Sequence, residues 1–560
     1  MSAGGERFGG LRWRLRASRA LWRRGATPDA VAGAMPTGPR SSEPVAQLDE
    51  PEAGDSVEGA LHVRGWLFFP EEATARVEVF LGGRSLGLAR IGAPRLDVAE
   101  VWDASYAAAG FELDADLGGW DGGEGGHDLT VVATSVAGER HEIEPVRVTV
   151  GAPPGRSEQP APPAAPTGVP GSDRRPRVLV FTHQLTLGGA QLYLLDLLRQ
   201  LTRAEAASFT MVTAIDGPLR SEVEALGIPV HISPLAPYDD LGPHLGRVEE
   251  LAAWSGAQGF DAALLNTATA WTVPGAEAAV EIGVPFVWAI HESFPLSVLL
   301  ADFATEVRER AEAALARASA LVFEAEATKR LYEPVAGAER CVMHPYGLDL
   351  EPIDAHRAEF DGAAARRRAG IPADAELIAC VGTVEPRKAQ AMLAQAFDLV
   401  AARHPRAWVA FVGGRDDDNT EALRRYVEAS PQAERMRIVP VTPEVEAWYG
   451  MADVLVCASD IESTPRTVLE AMAWETPVLG TRVFGLPELI DDGETGWLCE
   501  PRDLPALAAA LDRVLSLPAE ERRRIGAAGR PLVAERHSLE RYGSEIAALL
   551  ERAVATGAER

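Results

Sequence analysis

The run Val454-Leu-Val-Cys-Ala-Ser-Asp-Ile-Glu-Ser-Thr-Pro-Arg-Thr-Val-Leu-Glu-Ala-Met-Ala-Trp474 decides the fold. Its first five residues are apolar and end at Ser459-Asp460, which predicts a short buried strand, Val454–Ala458. Thr464 suits an N-cap and Pro465 a first helical position, so a helix is expected from about Pro465. Strand, loop and helix thus follow one another in a single short unit, and the question is whether the neighbouring chain repeats it.

It does, in both directions. The later strand-like runs are Pro477–Gly480 and Gly496–Cys499, and the earlier ones are Leu377–Val381, Trp408–Gly413 and Met436–Pro440. Helical stretches between them include Lys388–Arg403, Glu421–Glu428, Thr467–Trp474 and Leu504–Leu517. A second series precedes these: Arg177–Thr182, Phe209–Thr213, Pro229–Ile232, Ala262–Asn266, Pro285–Ile290, Ala320–Phe323 and Cys341–His344. Helices such as Ala190–Leu201 and Arg220–Leu226 fall among them. Two alternating series predict two facing, doubly wound α/β domains with Rossmann-like parallel sheets. Ligands in such sheets bind beyond the carboxyl ends of the strands, so the site belongs in the cleft between the domains.

Upstream the pattern changes. Leu61–Phe69, Arg76–Leu81, His127–Ala133 and Val146–Val150 are short β-rich runs punctuated by Gly82-Gly83 and Ala137-Gly138, which predict a small all-β sandwich. Pro153-Pro154, Pro160–Pro166 and Pro170 form a polyproline-biased linker, which reads as a divider between separately folded units. The expected organisation is a basic tail (1–45), a β module (46–152), a linker (153–175), two α/β domains (176–355 and 356–535) and a C-terminal helix (536–560).

The net charge of −28 on 560 residues argues against a nucleic-acid binder, which needs clustered basic surface. The charge is uneven: in residues 1–40 eight arginines stand against Glu6 and Asp29. Phe8–Arg24 carries Leu11, Trp13, Leu15, Leu21 and Trp22 among those arginines, and reads either as a peripheral helix on an anionic membrane or as a disordered tail. With no spanning segment and no secretory signal, the expected location is the cytoplasm, peripheral to the inner face of the membrane if the tail binds it. The four cysteines lie far apart, as core residues of a protein in a reducing compartment.

Three segments carry chemistry. Phe181-Thr-His-Gln-Leu-Thr-Leu-Gly-Gly-Ala-Gln191 ends the first strand and opens a helix, and Gly188-Gly189 lets backbone amides approach an anion or a sugar. Cys380-Val-Gly-Thr-Val-Glu-Pro-Arg-Lys388 holds one of only two lysines in the chain. Arg387 and Lys388 together suit a diphosphate leaving group. In the opening run, Glu462 lies in the loop and Glu470 projects from the helix, with carboxylates suited to sugar or ribose hydroxyls. Asp416-Asp417-Asp418 offers the Asp-x-Asp of a metal-dependent transferase, but a solvated acidic loop or helix cap is the simpler reading.

The spacing of Glu462 and Glu470, followed by Pro477-Val-Leu-Gly-Thr-Arg and Gly485-Leu-Pro-Glu488-Leu-Ile, resembles the signature of glycosyltransferase family 4 over residues 176–535. The resemblance implies a retaining enzyme of the GT-B fold. It moves a sugar from a nucleotide-diphosphate donor to a glycan or lipid-linked acceptor, in cell-surface glycan or glycolipid synthesis, and requires neither cofactor nor metal. It implies that Arg387 and Lys388 bind the donor diphosphate, Glu470 the ribose, and Glu462 with the amides of Ser463 and Thr464 the donor sugar. Gly188 and Gly189 fall near the phosphates, and His291, in Trp288-Ala-Ile-His-Glu292, points at the donor sugar. Two positions depart from the pattern: Ala389 and Phe484 stand where glycines are usual. The β module is similar to immunoglobulin-like modules, notably in Gly65-Trp66 and Arg95-Leu-Asp-Val98. The competing readings are a nucleotide-sugar epimerase of the same fold and a catalytically silent glycan-binding scaffold.

Overall fold

The computed structural model describes residues 44–151 and 175–558, apart from Leu235 and Ala270. The basic tail with Phe8–Arg24 and nearly all of the Pro-rich linker lie outside the described residues.

Two parallel sheets form the body of the molecule. The first has seven strands: β9 (Arg177–Gln184), β10 (Ser208–Ile215), β11 (Val230–Ile232), β12 (Ala262–Asn266), β13 (Phe286–Ile290), β14 (Ala320–Phe323) and β15 (Cys341–Met343). Their order is β11-β10-β9-β12-β13-β14-β15. The second has six: β16 (Glu376–Val381), β17 (Ala407–Gly414), β18 (Met436–Pro440), β19 (Val454–Cys457), β20 (Val478–Thr481) and β21 (Trp497–Cys499), in the order β18-β17-β16-β19-β20-β21. In both, the strand order reverses beside the first strand, at β9/β12 and at β16/β19. Such a reversal opens a crevice at the carboxyl edge of the sheet.

The apolar runs form strands because helices cover both faces. Every residue of β12, β13 and β19 is buried, which a one-sided sheet would not tolerate. The helix Gly189–Arg203 buries Tyr193, Leu194, Leu197, Leu198 and Leu201, an i, i+3, i+4 stripe against the first sheet. The helix after β16 is shorter than its periodicity suggests: it spans Gln390–Val400, and Pro386–Lys388 form a separate 3-10 turn. The C-terminal helix Leu539–Ala558 returns to the first domain, where Glu545 pairs with His344 at 2.9 Å and Gly543 lies on the Gln200 side chain.

The N-terminal module has eight strands: β1 (Val45–Glu50), β2 (Ser56–Val57), β3 (Ala60–Phe68), β4 (Thr74–Leu81), β5 (Arg84–Ala93), β6 (Gly110–Asp116), β7 (Gly125–Ser135) and β8 (Arg140–Val150), ordered β1-β3-β6-β5-β4-β7-β8-β2. Strand β5 turns the corner, pairing with β4 up to Ala89 and with β6 from Arg90 onward. Alternating residues such as Leu61, Val63, Val77, Val79, Leu129 and Val131 fill the interior.

The β module, though divided from the α/β domains by the linker, docks on the second of them. The module's core is continuous with that of the second α/β domain, through Ile91, Val384, Ala389 and Ala391. At Gly92 an added Cβ would meet the Ala391 Cβ at 3.1 Å. A polyproline linker divides the chain in sequence but does not prevent docking in space. No helix among the described residues is long and apolar enough to cross a membrane.

Candidate functional site

The second domain's half of the site starts where β16 and β17 end. An added Cβ at Gly413 would come within 2.3 Å of the Gly382 carbonyl, and Gly413 has φ +126°, so only glycine fits there. The following loop is riveted by Gln390, which is buried. Its Nε2 donates to the Thr383 carbonyl at 2.9 Å, and its Oε1 accepts from the Glu385 amide at 3.3 Å. This holds the turn that presents Arg387 and Lys388. Ala389 then takes φ +53°, the left-handed conformation for which glycine is the ordinary choice. Phe484, the other departure from the glycine pattern, also has positive φ, +39°. The backbone shape is therefore kept while the residue is changed.

Lys388 pairs with Glu462, whose Oε1 also accepts from Ser459 Oγ at 2.9 Å and lies 3.8 Å from Arg387. Burial pushes the Glu462 carboxyl up, but Lys388 and then Arg387 outweigh it, so the group sits below its ordinary value and stays ionised. Arg387 keeps 38% of its side-chain surface exposed, enough to meet a ligand, while its Nε is held by Glu385 at 2.8 Å. The two segments are joined through the backbone as well, the Asp460 amide donating to the Arg387 carbonyl at 2.7 Å.

The following helix spans Arg466–Ala473 with Pro465 at its cap position. Thr464 is not the cap its sequence position suggests; its hydroxyl donates instead to the Glu324 carbonyl of the first domain at 3.2 Å. Ser463 likewise meets Thr328 across the cleft, at 3.3 Å between hydroxyls. Glu470 accepts from Arg466 Nε at 2.6 Å and from the Tyr449 hydroxyl at 2.7 Å. Of the acidic triplet, Asp417 caps the helix Asp418–Ala429 by accepting from the Thr420 amide at 2.8 Å.

On the first domain, Gly188 caps the helix Gly189–Arg203, and the space around Gly189 is open. Gln191 spans back to His183 at 2.7 Å, and His183 Nδ1 faces Thr267 Oγ1 at 3.2 Å. Burial, and then the neighbouring His291, push His183 down to about 4, so its ring is neutral. His291 is the opposite case. Asn266 donates its Nδ2 to the Ala190 carbonyl at 3.1 Å, which turns Oδ1 toward His291 Nε2 at 2.9 Å. The other nitrogen meets Glu324 at 2.9 Å. Both ring nitrogens therefore donate, as only an imidazolium can. Burial opposes that charge, but Glu324 outweighs it and the pKa rises. The His291 ring is thus committed within its own domain, two hydrogen bonds from the helix that Gly188-Gly189 opens.

Several residues to which the sequence assigns no role close the cleft. Arg415, after β17, donates to the Leu187 carbonyl at 2.9 Å, tying the second domain to the glycine pair. Arg466 reaches Asp196 at 2.6 Å. Glu488 accepts from the amides of Glu326 and Ala327 at 2.9 and 3.0 Å, capping a helix of the opposite domain. Arg466 carried a local signal, its i, i+4 spacing from Glu470, and Glu488 stands in the family signature. Their contacts across the cleft depend on which loops the two sheets bring face to face.

The two cleft walls differ in where lysine and arginine fall. The loops that follow β9 to β15 carry Asp216, Asp239, Asp240, Glu292, Glu324 and Asp349, and no lysine or arginine. Those that follow β16 to β21 carry Arg387, Lys388, Arg415, Arg482 and Arg502, together with Glu385, Asp416, Asp417, Glu444, Asp460, Glu462, Glu500 and Asp503. Lysine and arginine side chains are thus confined to the loops of the second wall, where they stand among carboxylates.

Comparison with known proteins agrees with this architecture. The model described as Glycosyltransferase Family 4 matches residues 187–352, and that described as Glycosyl transferases group 1 matches residues 362–531. A D-inositol 3-phosphate glycosyltransferase of Frankia alni is 30% identical over 384 residues, covering 61% of this chain and 90% of the relative. One from Thermomonospora curvata is 30% identical over 365 residues, covering 60% and 84%. Among solved structures, Anabaena HepE in complex with UDP and glucose superposes with a TM-score of 0.57 at 20% identity, over 67% of this chain and 100% of that one. Sucrose-phosphate synthase from Thermosynechococcus elongatus gives 0.56 at 21% identity, over 68% and 100%. These likenesses show the GT-B fold. With the matched models spanning both α/β domains and relatives covered nearly end to end, the chain belongs to the group 1/family 4 glycosyltransferases.

Proposed function

We propose that this glycosyltransferase moves a sugar from a nucleoside diphosphate to an acceptor hydroxyl with the anomeric configuration retained. The observation that carries the reading is the convergence of Arg387, Lys388 and Glu462 at the switch point of the second sheet, opposite Gly188-Gly189. Arg387 and Lys388 neutralise the departing diphosphate, aided by the amides that open the Gly189–Arg203 helix. Glu462 and the amides of Ser463 and Thr464 hold the donor sugar, Glu470 the ribose, and His291 borders the sugar pocket. The bond from the anomeric carbon to the diphosphate oxygen breaks as the bond to the acceptor oxygen forms on the same face, and the acceptor's proton passes to the departing phosphate oxygen. The charge is carried by side chains, so the reaction is proposed to need no metal and to persist in a chelator.

The acceptor wall supports a second element of the reading. A phosphorylated acceptor would place its charge beside Asp216, Asp239, Asp240, Glu292, Glu324 and Asp349, with no lysine or arginine on those loops to meet it and the His291 charge already paired with Glu324. The acceptor's reacting sugar is therefore proposed to be uncharged, unlike the acceptor in the names of the relatives above. Trp271, half-buried against the His183 ring at 5.8 Å, offers a face for a sugar ring. A cell-surface glycan or glycolipid fits this chemistry, with the enzyme at the cytoplasmic face and Phe8–Arg24 touching the membrane. The likeness of the β module to immunoglobulin-like modules belongs to the same proposal.

The test is product analysis with a radiolabelled nucleotide-sugar panel and an acceptor extract, with and without chelator. A labelled glycan with retained anomeric configuration is expected. An epimerised nucleotide sugar without transfer would overturn the reading.

A further inference from the structure

Asp460 stands two residues before Glu462 and takes no part in the chemistry above. Its side chain is wholly buried, and neither carboxylate oxygen has a hydrogen-bond partner. A carboxylate in that position costs several kcal/mol unless charge compensates it. The nearest cation is Arg502, whose Nε lies 3.9 Å from Oδ1 and is itself buried without a hydrogen bond. Arg502 is oriented from elsewhere: its NH1 donates to the carbonyl of Leu88 on β5, at 2.6 Å.

Two residues on, where β5 changes partner strand, Arg90 is also buried. Its side chain is 9% exposed and pairs with Asp114 at 2.6 Å, and Asp114 in turn meets His62 at 2.7 Å. Both guanidiniums act on Asp460. Burial pushes its carboxyl up to about 7, against the pull of Arg502 and then Arg90. A second pair between module and domain, Arg76 with Asp503 at 3.4 Å, lies beside Arg502 in sequence. The charge that makes the Asp460 position tolerable is thus supplied partly by the β module.

We propose that the N-terminal β module is a working part of the donor site: through Arg90 and the Leu88–Arg502 bond it holds Asp460 in place, and with it the Ser459–Glu462 loop and the Arg387 backbone. Arg90 and Arg502 are positioning residues, since neither is placed to touch the donor. The inference rests on the donor reading of the Arg387–Glu462 pair. It gives the module a role that a tether or spacer would not have.

The test measures binding of UDP, GDP and ADP to the full-length protein by calorimetry, with the melting temperature of each variant in parallel. Arg502→Met and Arg90→Met each weaken the nucleotide that binds by about tenfold, and Arg502→Lys recovers part of the loss. Adding Asp460→Asn to Arg502→Met removes the buried carboxyl that has lost its partner and restores affinity to within about threefold of the unmodified protein. A merely structural role predicts the reverse, losses in the double variant at least as large as in the single one, and that result overturns the proposal. Unchanged binding in Arg90→Met and Arg502→Met overturns it as well. If the unmodified protein binds none of the three nucleotides, the donor reading fails and this inference with it.

Discussion

Arg466 holds Glu470 with its Nε and Asp196 of the facing domain with its NH1, each at 2.6 Å. One guanidinium therefore links the carboxylate proposed to bind the ribose to the helix that opens at Gly188-Gly189. Both partners of the cross-domain pair are mostly buried, at 22% and 16% exposure, so the bond is worth about 1.5–3 kcal/mol rather than the small value of a surface pair. Asp196→Asn is expected to loosen the closed arrangement. Small-angle scattering of the ligand-free variant should give a larger radius of gyration than the unmodified protein; an unchanged radius contradicts the assignment.

The two left-handed residues in place of glycine should respond oppositely to glycine. At Ala389 the strain of a Cβ at φ +53° is about 1–2 kcal/mol and only a methyl group is lost, so Ala389→Gly should raise the melting temperature. Phe484 packs partly buried against the large central core, and losing its ring costs about 3–5 kcal/mol, more than the strain relieved. Phe484→Gly should lower it. Thermal denaturation of both variants checks the pair of signs.

His183 sets a pH dependence. Its folded pKa, about 4, lies below the ordinary 6.5, so between these values the unfolded chain binds the extra proton. Its contribution to stability is therefore complete above about 6.5 and is lost as pH falls toward 4. His291 has the opposite sign: its pKa is raised, so its contribution is complete below 6.5 and is lost as pH rises through the folded value. His183→Gln should flatten the acid side of the melting-temperature profile between pH 6.5 and 4. A profile with unchanged slope would mean that the ring is not buried neutral.

Acceptor charge gives a further expectation. With a working donor, transfer to an uncharged sugar should exceed transfer to its phosphorylated counterpart by at least about tenfold in kcat/KM. Preference for the phosphorylated member of the pair would contradict the reading of the acidic wall.

How far the sequence reached follows from what each feature depends on. The strand after which Glu462 sits, and the helix that carries Glu470, are written in local patterns: a short apolar run, Pro465, then an apolar stripe. Lys388 stood out because the chain otherwise uses arginine almost throughout. Thr464 misled, since a hydroxyl before a helix suits a cap equally well when it is bonded to another domain's carbonyl. The Gln390–Val400 helix starts late because Ala389 adopts a left-handed conformation that an alanine does not announce. Asp460, Arg502 and Arg90 were illegible, because their meaning lies in a contact between β5 and a loop more than 360 residues away in the chain. The docking of the β module was hidden for the same reason.

The most direct test of the central claim is transfer of label from a nucleotide sugar to a glycan acceptor by the unmodified protein, Lys388→Ala and Glu470→Ala. The account predicts robust transfer by the first and a loss of at least about a hundredfold in kcat/KM for each variant, with melting temperatures showing that both remain folded. Folded variants that transfer label at the unmodified rate would contradict it.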